Sequence, residues 1–360
     1  MIVDRLRLEH FRCFQRAEVH FAPGFNLITG DNGSGKTSVL EALHLMAHGR
    51  SFRGRVRDGL IRRGQAALDV IVDWHADEDL PHRAGLRHFG GQWQARLDGQ
   101  DVQQLGQLVS ALAIISFEPG SHALIDGASE LRRRFLDWGL FHVEQDFMPS
   151  WRRYTRAQKQ RNALLRQRVP VRQLEAWEFE LAAHGEAITR LRDAHVANLQ
   201  PYLDRRMATL LPELGTAKLR LFAGWKTSDF SLGDALLLAR ERDLALGHTT
   251  VGPHRADLKI GLEGVPAENL SRGQTKQLAL AMMLAQAELL ADSFGHWPVL
   301  QLDDLGAELD RSHQERTVAA LAGSGAQVMI TGTETPAALV GSTIPVSTFH
   351  VEHGDICRVA

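Results

Sequence analysis

The sequence predicts an α/β fold in two parts: a head that has mixed β-sheets around a central helix, and a mainly α-helical arm domain inserted into that head. Apolar and polar residues alternate in short runs over the first thirty residues and again over about 67–116, as they do in half-buried strands. Between 121 and 245, Leu, Ala, Arg, Gln and Glu dominate and glycine is scarce, a composition that favours helices. Strand and helix patterns alternate again from Leu258 onwards, as a wound α/β core requires.

The changes of pattern set the expected boundaries. The head is predicted to comprise residues 1–120 and 246–360, and the arm residues 121–245. In the second part of the head, the apolar runs at 299–302 and 328–330 predict buried strands.

The first part of the head contains the predicted central helix. Residues 25–28 form a short apolar strand, and the spacing of apolar residues from about 35 to 49 predicts a helix directly after it. Gly90-Gly91 and Asp98-Gly99 predict hairpin turns in an antiparallel part of the sheet.

The overall composition of the chain excludes few classes of function. The formal net charge of -2 means that any contact with nucleic acid must come from local basic patches. Cys13 and Cys357 belong to no metal-ligand pattern, and charges interrupt every apolar run, including the stretch at 278–290. We therefore expect a cytoplasmic protein with neither a signal peptide nor a membrane span.

A phosphate-binding motif lies between the predicted strand and the predicted central helix. The segment matches G-x-x-x-x-G-K-[ST], whose glycines let backbone N–H groups surround phosphate oxygens at a helix N-terminus. Lys36 would reach the β- and γ-phosphates of ATP, and the Thr37 hydroxyl would bind Mg²⁺. The nucleotide-binding candidates are Gly30, Asp31, Asn32, Gly33, Ser34, Gly35, Lys36, Thr37 and Ser38.

Two adjacent carboxylates follow the apolar run at 299–302. Asp303 is the second candidate ligand of Mg²⁺, and Asp304 is the candidate general base that would polarise the attacking water. An Asp-Asp pair after a strand can also be a turn or a helix cap. Because glutamate usually fills the base position in ABC ATPases and aspartate is shorter, we expect slow hydrolysis.

A second motif begins the helix predicted after residue 271. Leu270-Ser271-Arg272-Gly273-Gln274 resembles the LSGGQ signature of ABC ATPases, with Arg272 in place of a glycine. The resemblance implies that Ser271, Arg272, Gly273 and Gln274 complete the nucleotide site of a partner protomer, so that ATP joins two heads. The same residues can form an ordinary capping box.

Two further segments match the order of ABC motifs. Glu308 and Asp310 lie in a segment that resembles the D-loop, which lies across the dimer interface. Residues 328–333 occupy the place of the strand that carries the switch histidine, but no histidine is present, and Thr331 or Thr333 is expected on the γ-phosphate side instead. No glutamine is identified as the Q-loop residue.

The chain is similar to the RecF family over almost its whole length. About 230 residues separate the phosphate loop from the signature, too many for a typical transporter subunit and too few to hold the coiled coils of an SMC protein. The most diagnostic block is Gly252-Pro253-His254-Arg255. An acidic pair usually follows this block, and here Ala256-Asp257 stands in its place, so only Asp257 is retained. The other matching blocks are Leu40-Glu41-Ala42, Gly49-Arg50-Ser51-Phe52-Arg53, Phe117-Glu118-Pro119, Arg133-Arg134-Phe135-Leu136-Asp137 and the signature with Lys276.

The resemblance implies a function in recombinational repair and replication restart. It implies an ATPase that is stimulated by DNA, dimerises on ATP, binds single- and double-stranded DNA at gaps, and works with RecR and RecO to load RecA. Arg12, in a segment that looks like the start of SMC-type heads, is a further nucleotide-site candidate.

Two basic segments are candidates for contact with DNA phosphates. Neither carries acidic residues, and both could also be solvated surfaces. The candidates are Arg50, Arg53, Arg55 and Arg57 in the first segment, and Arg152, Arg153, Arg156 and Lys159 in the second.

Two alternative functions remain open at this point. One is the ATPase subunit of a membrane transporter, although a basic helical arm has no use there. The other is a DNA clamp that is gated by ATP and hydrolyses it negligibly, which the aspartate at 304 allows.

Overall fold

The computed structural model describes residues 1–53, 59–76, 80–262 and 270–359. The chain divides into two compact units: unit 1 comprises residues 1–121 and 272–360, and unit 2 comprises residues 122–271. No helix among the described residues is long and apolar enough to cross a membrane.

Unit 1 has more residues in strands than in helices, and helices account for most of unit 2. The strands are β1 (Ile2–Phe11), β2 (Phe14–His20), β3 (Phe25–Thr29), β4 (Ala67–His75), β5 (Pro81–Phe89), β6 (Gln92–Leu97), β7 (Gln100–Asp101), β8 (Ile114–Phe117), β9 (Ala217–Phe222), β10 (Asp257–Leu262), β11 (Val299–Leu302), β12 (Val328–Gly332), β13 (Val346–Glu352) and β14 (Asp355–Arg358). The α-helices are α1 (Lys36–His48), α2 (Leu105–Ala111), α3 (Ala123–Asp126), α4 (Ser129–Val143), α5 (Phe147–Gln167), α6 (Glu175–Leu210), α7 (Leu232–Leu246), α8 (Arg272–Phe294), α9 (Leu305–Glu308) and α10 (Arg311–Ala322).

Unit 1 contains two six-stranded sheets. The first is antiparallel, in the spatial order β2-β1-β4-β5-β6-β7, and its hairpins turn at Gly90-Gly91 and Asp98-Gly99 as predicted. The second has the order β14-β13-β3-β12-β11-β8 and is parallel apart from β14. Because β3, β8, β11 and β12 run in the same direction, their carboxyl ends meet at one edge of the sheet.

Helix α1 is the central helix of unit 1. Its apolar side chains, among them Leu43 and Met46, belong to one hydrophobic core with residues of both sheets, such as Leu6 from the antiparallel sheet and Met329 from the mixed sheet. All are essentially inaccessible to solvent. The predicted fold class, mixed sheets around a central helix, is confirmed.

Unit 2 is built around the contact of α5 with α6. Tyr154 and Leu181 are fully buried in its core together with Leu232 at the start of α7. In the same unit, Arg161 is completely buried and donates to the carboxylates of Glu178 and Asp243, which satisfies a charge that would otherwise be costly to bury.

The second boundary of the inserted unit differs from the predicted one. The sequence placed residues 246–271 in the head, whereas β10 pairs with β9 in a two-stranded antiparallel sheet of unit 2. The preceding turn belongs there as well, because Arg192 of α6 donates to the Pro253 carbonyl and Arg133 of α4 donates to the Ala256 carbonyl.

Candidate functional site

The phosphate loop joins β3 to α1 at the carboxyl edge of the mixed sheet. Gly30 and Gly35 have φ angles of 148° and 122°, which residues with side chains rarely adopt. A Cβ on Gly30 would lie 2.2 Å from the Val351 carbonyl oxygen, and one on Gly35 would lie 2.7 Å from the Cys13 Sγ. Glycine is therefore required at both positions by backbone conformation and by space.

Lys36 is buried at the first residue of α1. Its Nζ donates to the carbonyl oxygens of Gly30 (2.7 Å) and Asp31 (2.8 Å), which folds the loop around the ammonium group. Burial lowers the pKa of Lys36, and the carboxylates of Asp304 and Asp303 oppose that shift. The cation is thus held at the place where the motif predicts phosphate.

Asp303 accepts hydrogen bonds from hydroxyl groups of two different elements. Its Oδ1 accepts from Thr37 Oγ1 at 3.0 Å and from Thr331 Oγ1 at 2.6 Å. Burial raises the pKa of Asp303, and the two hydrogen bonds oppose the shift by stabilising the carboxylate. The predicted metal-side pair, Thr37 and Asp303, is therefore brought into direct contact.

Asp304 adopts a left-handed backbone conformation, with φ 53° and ψ 43°. Its N–H donates to Thr331 Oγ1 at 2.8 Å. Among residues with side chains, mainly Asn and Asp adopt this conformation, and here the hydrogen bond to Thr331 holds it.

A cavity of about 400 Å³ opens above these residues. It is lined by Asn32, Gly33, Gly35, Lys36, Thr37, Ser38, Phe52, Arg53, Glu118, Pro119, Asp303, Asp304 and Thr331. Cations, hydroxyls and carboxylates therefore face one space.

The chemistry of this lining fits ATP with Mg²⁺. Lys36 and Arg53 are cations of the lining that suit phosphate oxygens. The Thr37 hydroxyl and the Asp303 carboxylate are oxygen donors of the kind that Mg²⁺ takes beside a nucleotide.

Comparison with known proteins assigns the chain to a family. The family model described as the RecF/RecN/SMC N terminal domain matches residues 2–354. The DNA replication and repair protein RecF of Stenotrophomonas maltophilia (strain R551-3) is 55% identical over 100% of both chains, and that of Shewanella oneidensis (strain ATCC 700550) is 38% identical over 99% of both chains. The chain belongs to the RecF family.

Solved structures agree with this assignment at the level of the fold. A structure of the recombination mediator protein RecF with ATP, from the RecFOR pathway, superposes with a TM-score of 0.88 at 24% identity, covering 99% of this chain and 97% of that one. An Smc head bound to the C-terminal winged-helix domain of ScpA superposes with a TM-score of 0.62 at 16% identity, covering 100% and 97%. RecF-family membership makes the chain an ATP-binding and DNA-binding protein of DNA replication, recombination and repair, with an ABC-type ATPase fold.

Arg12 does not line the cavity of this RecF-family site. Its guanidinium instead donates to both carboxylate oxygens of the fully buried Glu41 in α1, at 2.6 and 2.9 Å. The sequence singled out Arg12 as a nucleotide contact, and the structure pairs it with Glu41 of α1 instead.

The signature residues lie at the surface. Ser271, Arg272 and Gly273 are exposed, and Gln274 is partly exposed, where α8 begins. Of the described residues, those that line the cavity include none of the four.

The residues of the D-loop have different surroundings. Glu308 is 10% exposed and forms an ion pair with Lys276 of α8 at 2.6 Å. Asp310 caps α10 by accepting from the His313 N–H at 3.0 Å, and the hydrogen bonds from His313 lower its pKa to about 2.

The DNA candidates divide into three groups. Arg50 is exposed, and Arg53 lines the cavity, where its charge lowers the pKa of Asp303. Arg55 and Arg57 lie outside the described residues. The four candidates of the arm are all exposed on α5: Arg152, Arg153, Arg156 and Lys159.

Sequence reasoning missed three contributions to the cavity. Phe52, Glu118 and Pro119 were matched to the family without a role, yet all three line the site. Glu118 follows β8 directly, and β8 pairs with β11. Glu118 therefore follows the strand next to the one that ends before Asp303. Only the order of the strands reveals this.

Proposed function

We propose that this RecF-family chain is an ATP-driven DNA clamp. It dimerises on ATP, binds single- and double-stranded DNA at gaps, hydrolyses ATP slowly under stimulation by DNA, and acts with RecR and RecO to load RecA. The observation that carries the proposal is the convergence of Lys36, Thr37 and Asp303 on one cavity, while the signature sequence lies at the surface.

Four polar side chains of the cavity have proposed roles in phosphoryl transfer. The backbone of the phosphate loop and Lys36 hold the β- and γ-phosphates, and Thr37 and Asp303 are the residues that would hold Mg²⁺. When bound, Mg²⁺ offsets the charge of the phosphate oxygens. Asp304 faces the same cavity and accepts a proton from the attacking water.

The proposal of dimerisation rests on the signature residues, which do not line the cavity of their own chain. Arg272, Gly273 and Gln274 begin a 23-residue helix, whose positive dipole end suits a phosphate. Because the cavity lining described above does not include them, we propose that they bind the γ-phosphate in the partner protomer, with Glu308 and Asp310 at the same interface.

The partners are proposed from the relatives. The similar RecF–ATP structure belongs to the RecFOR pathway, which supports RecR and RecO as partners and RecA loading as the outcome. Membership of the RecF family removes the transporter subunit as an alternative. The clamp with negligible hydrolysis is favoured by one observation, the short aspartate side chain at position 304.

The deciding measurement is the solution mass with and without ATP and Mg²⁺, in the presence and absence of a gapped DNA duplex. We expect ATP to convert monomers into dimers that retain the DNA. Lys36→Met should abolish the shift because it removes the cation that faces the phosphates. Lys226→Met, which changes a side chain that is 77% exposed, should leave the shift intact. A mass that does not respond to ATP contradicts the proposal.

Asp304→Asn separates hydrolysis from clamping. If Asp304 is the base, the variant should bind ATP, accumulate as a DNA-bound dimer and lose turnover by about 100-fold or more. Wild-type turnover in this variant removes Asp304 from that role. If the wild-type dimer itself hydrolyses no ATP, the protein is the clamp with negligible hydrolysis.

A further inference from the structure

Thr331 joins the two carboxylates of the site. It lies in β12, is 1% exposed and lines the cavity. Its hydroxyl donates to Asp303 Oδ1 at 2.6 Å and accepts from the backbone N–H of Asp304 at 2.8 Å. A threonine hydroxyl has one hydrogen to donate, and here that hydrogen is committed to Asp303.

The residues beside Thr331 offer no second side chain to the cavity. Gly332 has no room for one, because a Cβ there would lie 2.8 Å from the Glu334 carbonyl oxygen. Thr333 is exposed. Among the described residues at this end of β12, Thr331 alone lines the cavity.

The bond from Thr331 acts on the residue of the site that has a left-handed backbone. That conformation of Asp304 determines where its carboxylate points, and among residues with side chains mainly short polar ones, such as aspartate, adopt it. The Asp304 N–H is held by Thr331 in that conformation. Thr331 also bonds the same Asp303 oxygen as Thr37, so it fixes the direction of the Asp303 carboxylate.

We infer that Thr331 is a positioning residue for ATP hydrolysis. It stands where ABC ATPases carry a histidine that faces the γ-phosphate, but it acts on Asp303 and Asp304 instead of on the nucleotide. The inference rests on the proposed ATPase function. Removal of the hydroxyl should therefore slow the chemical step and leave nucleotide affinity nearly unchanged, because no hydrogen of Thr331 is available to the phosphates.

The test compares Thr331→Val, Thr331→Ala and Thr331→Ser with wild type. Steady-state kinetics give kcat and KM, and equilibrium titration with a fluorescent ATP analogue and Mg²⁺ gives affinity independently of turnover. We expect kcat to fall about 10-fold or more in the valine and alanine variants, with affinity close to wild type, and serine to restore much of the loss. Thr317→Val removes a hydroxyl that is equally buried, in α10 of the same unit, and should keep wild-type kinetics.

The alternatives give different results. Weakened ATP binding with unchanged kcat would show that Thr331 contacts the nucleotide, and wild-type kcat in the valine and alanine variants would show that it has no part; either result overturns the inference. If valine prevents folding, the alanine variant, which adds no new group, decides. A wild-type protein that binds ATP without turnover refutes the proposed hydrolysis before Thr331 is tested.

Discussion

At the scale of single residues, His254 shows how the diagnostic Gly-Pro-His-Arg block is held in place. Its Nε2 lies 3.0 Å from the Thr249 carbonyl oxygen and must donate to it, so Nδ1 accepts from the Tyr154 hydroxyl at 2.6 Å. Burial lowers the pKa of His254 to about 4, despite the hydrogen bond to Thr249. The imidazole is therefore neutral in the folded chain at physiological pH.

This histidine makes the stability of unit 2 depend on pH. The unfolded chain binds a proton near pH 6.5, whereas the folded chain does so only near 4, so stability is complete above about pH 6.5 and is lost as the pH falls toward 4. We expect a loss of up to about 3 kcal/mol from His254. His142 contributes in the same direction because burial lowers its pKa to about 4 as well.

Urea denaturation between pH 4.5 and 7, followed by tryptophan fluorescence, to which Trp225 in the core of unit 2 contributes, measures this dependence. His254→Gln should be less stable than wild type at pH 7 but lose less stability on acidification. His353→Gln, which replaces a side chain that is 92% exposed, should follow the wild-type curve. An unaltered pH dependence in His254→Gln contradicts the assignment.

Individual site residues could be predicted only where one short motif contains them. Thr37 and Asp303 were both predicted as ligands of Mg²⁺ because each belongs to a recognisable motif that follows an apolar strand. The bond from Thr331 to both aspartates could not be predicted, since it depends on β12 lying beside β11. Phe52 and Glu118 were given no role, because no local sequence pattern distinguishes a residue that lines a cavity.

At the scale of elements, an ion pair connects two of the ABC motifs within one chain. Lys276 lies in the second turn of α8, and Glu308 is the last residue of α9. Both side chains are largely removed from solvent, which strengthens their attraction relative to a surface pair. The ion pair thus joins α8 to the segment proposed as the D-loop within a single chain.

Lys276→Met should weaken ATP-dependent dimerisation by about 10-fold, equivalent to about 1.4 kcal/mol, because two interface elements lose their common anchor. ATP affinity of the monomer should stay near wild type. Sedimentation with ATP in the Asp304→Asn background measures the dimer constant without interference from turnover. Glu308→Lys combined with Lys276→Glu should recover part of the loss.

A surface pair provides the control for this prediction. Arg311 and Glu315 pair at 2.9 Å on α10, with side chains 77% and 51% exposed. Arg311→Met should leave the dimer constant unchanged. Equal effects of Arg311→Met and Lys276→Met would mean that net charge matters and the anchor does not.

The positions of helices and strands along the chain were predicted well from the periodicity of apolar residues. The pairing of strands was predicted poorly. The central helix, the hairpins after β5 and β6, and the strands β11 and β12 all appear at the predicted positions. The strand β10 was predicted as a strand but assigned to the head. Its partner β9 lies about 40 residues earlier, and alternation along a strand does not indicate which strand it joins.

At the scale of the whole molecule, unit 2 carries the basic surface proposed for DNA. Arg152, Arg156 and Lys159 are spaced by four and three residues on α5, so they share one helix face, and all are exposed. The nearby Arg161 of the same basic run is buried in ion pairs and is unavailable to DNA.

Replacing Arg152, Arg156 and Lys159 by Gln should weaken DNA binding without preference for sequence. Removing one charge that binds a phosphate lowers the slope of log K against log salt by about 1, so the slope of the triple variant should fall by about 3. Fluorescence anisotropy with a gapped duplex at several salt concentrations gives the slope. The matched triple variant Lys218→Gln, Arg220→Gln and Lys226→Gln removes the same charge from exposed positions of unit 2. If both triple variants weakened DNA binding equally, the cause would be the net charge of the protein and not the exposed face of α5.

The order of strands in the mixed sheet has a consequence for synthesis on the ribosome. β3, which leads into the phosphate loop, pairs only with β12 and β13 among the described strands, so it is made some 300 residues before its neighbours. Unit 2 is continuous and has every pairing partner once residue 271 has emerged. A nascent chain can therefore complete its inserted unit first, while the nucleotide site forms only after β12 and β13 have been translated. The proposed pairing of two chains by ATP can begin only after that point in synthesis.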